Sequence, residues 1–147
     1  MKLEYELQRV PQEKSGYQVP SFTEGTLRIS LGEQAFLHAE DILLVEFAIV
    51  LVKWLGTVEH RGPSSLYYAS MDFEEEPIFA LNYNAESNSF EPDSVWASTE
   101  PRSVSVDEAV AAARSYVASL QDELSTKHGI DLAAVLEAAV GDEVPPP

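Results

Sequence analysis

The chain begins with two segments in which apolar and polar residues alternate. The first runs from Leu3 to Val10 and the second from Gly25 to Leu31. This alternation is typical of strands with one buried and one wet face, and we expect the two to pair as antiparallel neighbours. Two prolines and a glycine interrupt residues 11–24, which predicts a loop between the strands.

The most hydrophobic segment, Ile42 to Leu55, is interrupted only by Glu46 and Lys53. These two charges are seven residues apart and would share one helical face, so the segment predicts a mostly buried helix with a narrow polar stripe. A membrane span needs about 20 apolar residues, which this segment does not supply. The expected first turn and C-terminal cap of this helix consist of Glu40, Asp41 and Gly56.

Three further strands are predicted at residues 66–73, 78–83 and 90–96, where aromatic and β-branched residues are frequent. A charged turn, Glu74-Glu75-Glu76-Pro77, separates the first two of them. Pro92 restricts the third strand to a sheet edge or a bulge. Alternation along the first strand places one set of side chains on the core face and the other set on the outer face. The core set is Tyr67, Ala69, Met71 and Phe73, and the outer set is Tyr68, Ser70 and Asp72.

Helix signals reappear at Ser105, which forms a capping box with Glu108 and opens an apolar helical pattern as far as Leu124. Gly129 would end this helix, and Asp131 would cap a short last one. We therefore predict a single α+β domain over residues 1–142 with the element order ββαβββαα, followed by a short Pro-rich tail at residues 143–147. Its antiparallel sheet would pack against the central helix and the long C-terminal helix.

Composition narrows the class of protein. With 147 residues, 45% of them hydrophobic and 23% charged, the chain is long and apolar enough for a folded core. The absence of cysteine excludes disulfides, thiolate metal sites and cysteine nucleophiles. Acids at Glu4 and Glu6 interrupt the N-terminal segment, so no apolar signal core is recognised there, and we expect a cytoplasmic protein.

The net charge of −16 is unevenly distributed. Residues 1–63 carry six bases and nine acids, a net charge of −3, whereas residues 64–147 carry three bases and sixteen acids, a net charge of −13. Forty residues, Gly62 to Pro101, contain no lysine, arginine or histidine but hold eight acids and seven aromatic residues. Such a field repels nucleic acids and anionic membranes and favours a basic protein partner. The simpler alternative is that the acidity only keeps the protein soluble.

The acids of the charged turn have three possible roles. Asp72, Glu74 and Glu76 could share a strand face and bind a metal, although the segment lacks EF-hand spacing. They could contact a basic protein, or they could form a solvated turn that discourages edge pairing. An exposed Tyr68 beside them would be a suitable anchor, while a buried tyrosine with a bonded hydroxyl is the commoner outcome. The candidate partner-binding residues are Tyr68, Asp72, Glu74, Glu75 and Glu76.

Sequence motifs for nucleophilic catalysis or phosphate binding are absent, so we predict no catalytic, cofactor-binding or metal-ligating residue. Two segments, from Ile42 through Leu55 and from Ser70 to Pro77, resemble an uncharacterised family of small acidic bacterial α+β proteins. Its members are similar in size and acidity to immunity proteins of polymorphic toxin systems. The resemblance implies the fold and an immunity-type role, and it transfers no catalytic residue to this chain.

The leading functional hypothesis is a non-enzymatic cytoplasmic binding protein, an immunity-type inhibitor that masks a basic toxin or nuclease surface through residues 66–96. One alternative is a DNA mimic, whose carboxylates would replace phosphates along one long face. Another is a small metal-dependent enzyme that uses the carboxylates between Asp72 and Glu76. The last is a domain that makes no special use of its charge.

Overall fold

A computed structural model describes residues 1–141 and confirms the predicted α+β class. The described residues form two antiparallel sheets and four helices. The predicted Pro-rich tail, residues 143–147, lies outside the described residues, as does residue 142 at the end of the predicted domain. The predicted strands and helices occur in the predicted order, with further elements between them.

The first sheet contains three strands in the order β1-β2-β3, which are Lys2–Arg9, Glu24–Leu31 and Gln34–Leu43. The predicted pairing of the first two is confirmed, with Leu3 opposite Ile29. A short helix, α1, spans Gln18–Phe22 within the predicted loop. The third strand was not predicted, and it contains Glu40 and Asp41, which we had expected in the first turn of the central helix.

The central helix, α2, spans Leu44–Arg61 and is longer than predicted. Gly56 lies inside it and not at its end, because no proline follows that glycine and the next residues remain compatible with a helix. The helix ends at Gly62, which has a φ of +92° and whose N–H donates to the carbonyl of Val58 at 3.0 Å. Glycine adopts such a positive φ without steric cost, and Pro63 prevents the helix from continuing.

The acidic stretch forms a second sheet and does not extend the first. Its strands are β4 Leu66–Tyr68, β5 Phe79–Asn84, β6 Ser89–Asp93 and β7 Val104–Ser105, which are hydrogen-bonded in that order. The first of them is much shorter than the predicted strand at residues 66–73. Because β7 pairs only with Ser89 and Phe90, Pro92 lies where β6 has an open side, in agreement with the predicted edge position.

Two helices, α3 Val106–His128 and α4 Leu132–Gly141, complete the described chain. Their predicted caps are confirmed. The N–H of Glu108 donates to the hydroxyl of Ser105 at 3.1 Å, and the N–H of Ala134 donates to the Asp131 carboxylate at 3.2 Å. Gly129 ends α3 in the left-handed conformation, with a φ of +64°.

The core is centred on Phe47, a fully buried residue of α2. Its ring lies 4.8 Å from that of Tyr68 and 6.4 Å from that of Phe79, both in the second sheet. On its other side lies Tyr116 of α3, at 5.2 Å, whose ring also contacts Tyr5 of the first sheet at 5.6 Å. Offset and edge-on packing of this kind adds to the free energy gained by burial. One aromatic network therefore links both sheets through two helices.

In the described part of the chain, no helix combines the length and the apolar character that crossing a membrane demands.

Replacing Phe47 with alanine should lower the free energy of unfolding by about 3–5 kcal/mol, because a buried ring and its contacts are lost and a cavity remains. Urea unfolding followed by circular dichroism measures this change. The matched control is Phe22→Ala, because Phe22 is 52% exposed and should cost about 1 kcal/mol or less. Equal losses in the two variants would contradict the central position given to Phe47.

Candidate protein-binding surface

The outward face of the second sheet is acidic. Tyr67 on β4 pairs with Ala80 on β5, which pairs with Asp93 on β6, and one step along the sheet Asn82 pairs with Glu91. Residues that lie opposite each other share a face of the sheet. Apart from the small Ala80, these side chains are exposed, so this row presents one aromatic ring, one amide and two carboxylates to solvent.

Tyr67 is the aromatic residue of this face, with 55% of its surface exposed. Its hydroxyl donates to the Oε1 atom of Glu76 at 2.7 Å. That hydrogen bond raises the pKa of Tyr67, and the negative charge of Asp93 raises it further. The hydroxyl is thus directed at a carboxylate. The ring, in contrast, stays available to a partner.

The loop between β4 and β5, residues 69–78, is held by hydrogen bonds at its base. The buried Ser70 accepts the N–H of Asp72 on its hydroxyl at 3.3 Å and the N–H of Phe73 on its carbonyl at 3.2 Å. The loop closes where the N–H of Ile78 donates to the carbonyl of Tyr68 at 2.9 Å. The loop exposes all four of its acids, which are Asp72, Glu74, Glu75 and Glu76.

A second segment, residues 94–98, packs beside this loop. The N–H of Val95 donates to the carbonyl of Pro77 at 3.0 Å, and the rings of Phe73 and Trp96 meet edge-on at 5.1 Å. Further along, a backbone hydrogen bond attaches the segment to β3 of the first sheet. The acidic loop is therefore fixed against its neighbour by a backbone hydrogen bond and an aromatic contact. We call the combined surface the acidic face, which consists of Tyr67, Asp72, Glu74, Glu75, Glu76, Glu91 and Asp93.

Apolar side chains are exposed in the same region. Of the five large hydrophobic residues that are exposed in the described chain, three belong to this loop, its strand or the neighbouring segment: Tyr67, Met71 and Val95. Met71 is fully exposed, although alternation had placed it on the core face. A mixture of exposed apolar groups and carboxylates is more typical of an interface than of a simple solvated turn.

The expectation that Tyr68 faces outward is wrong. Tyr68 is fully buried, its ring packs on Phe47, and its hydroxyl donates to the Glu46 carboxylate at 2.9 Å. Burial raises the pKa of Tyr68, and the charge of Glu46 adds to the effect. The phase predicted from alternation is the opposite of the observed one, because the inward residues of β4 are Leu66 and Tyr68. Tyr68 therefore supports the acidic face from beneath. Tyr67, which alternation had assigned to the core face, occupies the exposed position that was predicted for Tyr68.

The acids of the loop do not converge on a cation. Within residues 1–141, no group of three or more histidine, aspartate or glutamate side chains is placed so that it could hold a metal ion. One of the three possible roles placed Asp72, Glu74 and Glu76 on a shared strand face, but β4 ends at Tyr68 and they lie in a loop, where strand alternation does not apply. Calcium takes six to eight oxygen ligands, and this arrangement lacks that convergence.

Sequence reasoning missed several residues of this surface. The pattern of Glu91, Pro92 and Asp93 is exposed, buried and exposed, so alternation along β6 could have identified its two acids. For Met71 and Val95 no such signal exists, because both lie in irregular segments whose direction depends on tertiary contacts.

Comparison with known proteins assigns the sequence to a family. The model of a domain of unknown function, DUF7878, matches residues 1–126. The chain belongs to the DUF7878 family. Both sheets, α2 and the whole acidic face lie inside the matched residues of this DUF7878 domain, whereas α4 follows them. Neither a curated protein nor a solved structure matches the chain.

Alkaline titration should separate the tyrosines by burial. Burial is the main cause that raises the pKa of Tyr5, Tyr68 and Tyr116 above the ordinary value of 10.0, so folding favours their neutral forms. Their contribution to stability is fully present below about pH 10 and is lost as the pH rises further, because the unfolded chain then binds fewer protons. Phenolate absorbance and circular dichroism, recorded together, test this.

We expect these three side chains to ionise only as the protein unfolds. Ionisation of all six tyrosines near pH 10 with the circular dichroism spectrum unchanged would contradict it.

Proposed function

We propose that this protein is a non-enzymatic cytoplasmic binding protein of the immunity type, which masks a basic surface on a toxin or nuclease. The observation that carries the proposal is the acidic face, where four loop acids and two strand acids surround an exposed tyrosine. Its charge is not neutralised from within the stretch, because residues 62–101 contain no lysine, arginine or histidine.

The charge distribution suits rapid association. A carboxylate-rich patch on a protein of net charge −16 attracts a cationic partner over a distance and raises the association rate constant. For an inhibitor that protects a cell from an active toxin, a high association rate constant matters more than a large buried interface area. The loop also keeps a fixed shape through its backbone hydrogen bonds, which reduces the ordering cost on binding.

Exposed apolar side chains in and beside the acidic face would supply the binding energy that charge alone does not. Tyrosine is enriched among residues that dominate interfaces, and methionine adapts to irregular surfaces. The exposure of Tyr67, Met71 and Val95 favours a protein-masking role over DNA mimicry, because a phosphate backbone has no apolar counterpart to these side chains. The immunity-type resemblance of the sequence points in the same direction.

Replacing Asp72, Glu74, Glu75 and Glu76 together by serine should slow association with the basic partner at least about tenfold at low salt. Tyr67→Ala should mainly speed dissociation, because it removes an anchor and leaves the charge unchanged. Surface plasmon resonance at several salt concentrations measures both rate constants, and any toxin encoded by a neighbouring gene is the first protein to test as the immobilised partner.

A charge-matched control is available in the same chain. Serine at four exposed acids far along the sequence from the loop, Glu13, Glu33, Glu40 and Glu137, changes the net charge by the same amount. This control should slow association much less than the loop variant does. Equal slowing by both variants would show that only total charge matters and would contradict a role for the acidic face.

A further inference from the structure

The outer edge of the first sheet is open. Its strand order is β1-β2-β3, so β1 is paired on one side only, and no other backbone hydrogen bond involves residues 2–9 among the described residues. In any strand, alternate residues direct their N–H and C=O groups to opposite sides. An eight-residue strand with one unpaired side therefore presents a row of free backbone donors and acceptors.

The opposite edge of the same sheet, formed by β3, is partly covered. On β3 the carbonyl of Phe36 accepts the N–H of Ser98 at 2.9 Å, and the carbonyl of Ala35 accepts the hydroxyls of Ser98 and Thr99 at 3.1 and 3.2 Å. A crossing segment thus covers part of that edge, as proteins commonly do to prevent unwanted strand pairing. No comparable segment covers β1 in the part of the chain that the structure describes.

A groove of about 520 Å³ runs beside the open edge of β1. On one side it is lined by five consecutive residues, Met1 to Tyr5, so it follows the strand's backbone and not one of its faces. Its other wall is one stripe of α3, which begins at Glu108 and continues with small side chains: Ala111, Ala112, Ser115 and Ser119. Ligand sites in proteins commonly have volumes of roughly 300–1,000 Å³.

The contacts at the two ends show how the groove is formed. At one end the amino group of Met1 pairs with Glu108, and further along the hydroxyl of Tyr5 donates to Glu123 at 3.0 Å. β1 and α3 therefore run side by side in the same direction, with the small side chains of the helix leaving space next to the strand. Asp122 and Glu123 both lie near Tyr5, so that end of the groove has two carboxylates beside it.

We infer that this groove binds an extended peptide segment of a basic partner protein, which adds to β1 as a fourth strand of the first sheet. The free backbone groups of β1 specify an extended chain, because only another strand satisfies a regular row of donors and acceptors. The small residues of α3 leave room for apolar side chains on alternate positions. The net charge of −16 and the acids near Tyr5 favour basic residues on the others.

This groove is distinct from the acidic face. It lies on the first sheet and α3, while the acidic face lies on the second sheet and its loop. The inference does not depend on the proposed inhibitory function, and each can fail without the other.

The test uses a fluorescent seven-residue probe, acetyl-Lys-Val-Lys-Val-Lys-Val-Lys-amide, with fluorescence polarisation as the binding readout. Its control carries the same side chains and charge but is N-methylated at every internal amide, so it cannot donate the hydrogen bonds of a strand. We expect the unmodified peptide to bind at least about tenfold more tightly, since several strand hydrogen bonds are lost in the control. Amide hydrogen exchange should slow at alternate residues of β1.

Variants of α3 separate the groove from general charge attraction. Ser115→Trp fills the groove from an exposed position and should weaken binding of the unmodified peptide about tenfold or more. Ala118→Trp is the matched control, because Ala118 is also exposed on α3 but does not line the groove, and its affinity should equal that of the unaltered protein. Thermal unfolding of both variants verifies the fold.

Two results would overturn the inference. Equal binding of the two peptides, unaffected by Ser115→Trp, would mean that the basic peptide is held by charge alone. A concentration-dependent dimer that Ser115→Trp abolishes, detected by light scattering after size-exclusion chromatography, would mean that the groove and edge accept a second copy of this chain and not a partner peptide.

Discussion

The burial of Tyr68 against Phe47 is the contact on which the rest of the structure depends. Phe47 is where α2 meets both the second sheet and α3, and Tyr68 fills the space beside it while its hydroxyl is satisfied by Glu46. A strand alternates its side chains between two faces, so an inward Tyr68 forces its neighbour Tyr67 outward. The packing of Tyr68 in the core therefore determines that Tyr67 is the aromatic residue on the surface.

The sequence predicts most of the regular elements because their signals are local. The N-cap at Ser105, the left-handed glycine at Gly129 and the alternating pattern of β1 and β2 each depend on neighbouring residues, and all are found in the structure. The predicted secondary structure is wrong where tertiary contacts determine the conformation of a segment. Glu40 and Asp41 are good first-turn residues for a helix, yet they belong to a strand that pairs with β2.

The sequence predicts which acids the candidate site contains, but it does not predict which tyrosine the site exposes. The acids of the β4–β5 loop are exposed, as a run of carboxylates should be, since burying unpaired charge is costly. The side of Tyr68 was predicted incorrectly because the segment contains apolar residues at both phases, and alternation alone cannot choose between them. The contacts of Tyr68 with Phe47 and Glu46 on α2 determine which residues of β4 face inward. These two residues are about twenty positions earlier in the chain and reach β4 only after folding.

We propose that the acidic face is a distinct binding surface and not simply part of a uniformly acidic protein. A titration of the isotope-labelled protein with a nona-arginine peptide, monitored by amide chemical shifts, tests this proposal. We expect that the amides of Tyr67, the loop acids from Asp72 to Glu76, and Asp93 shift first and saturate at the lowest peptide concentration. Shifts that rise together at acids over the whole surface, with no preference for these residues, would contradict it.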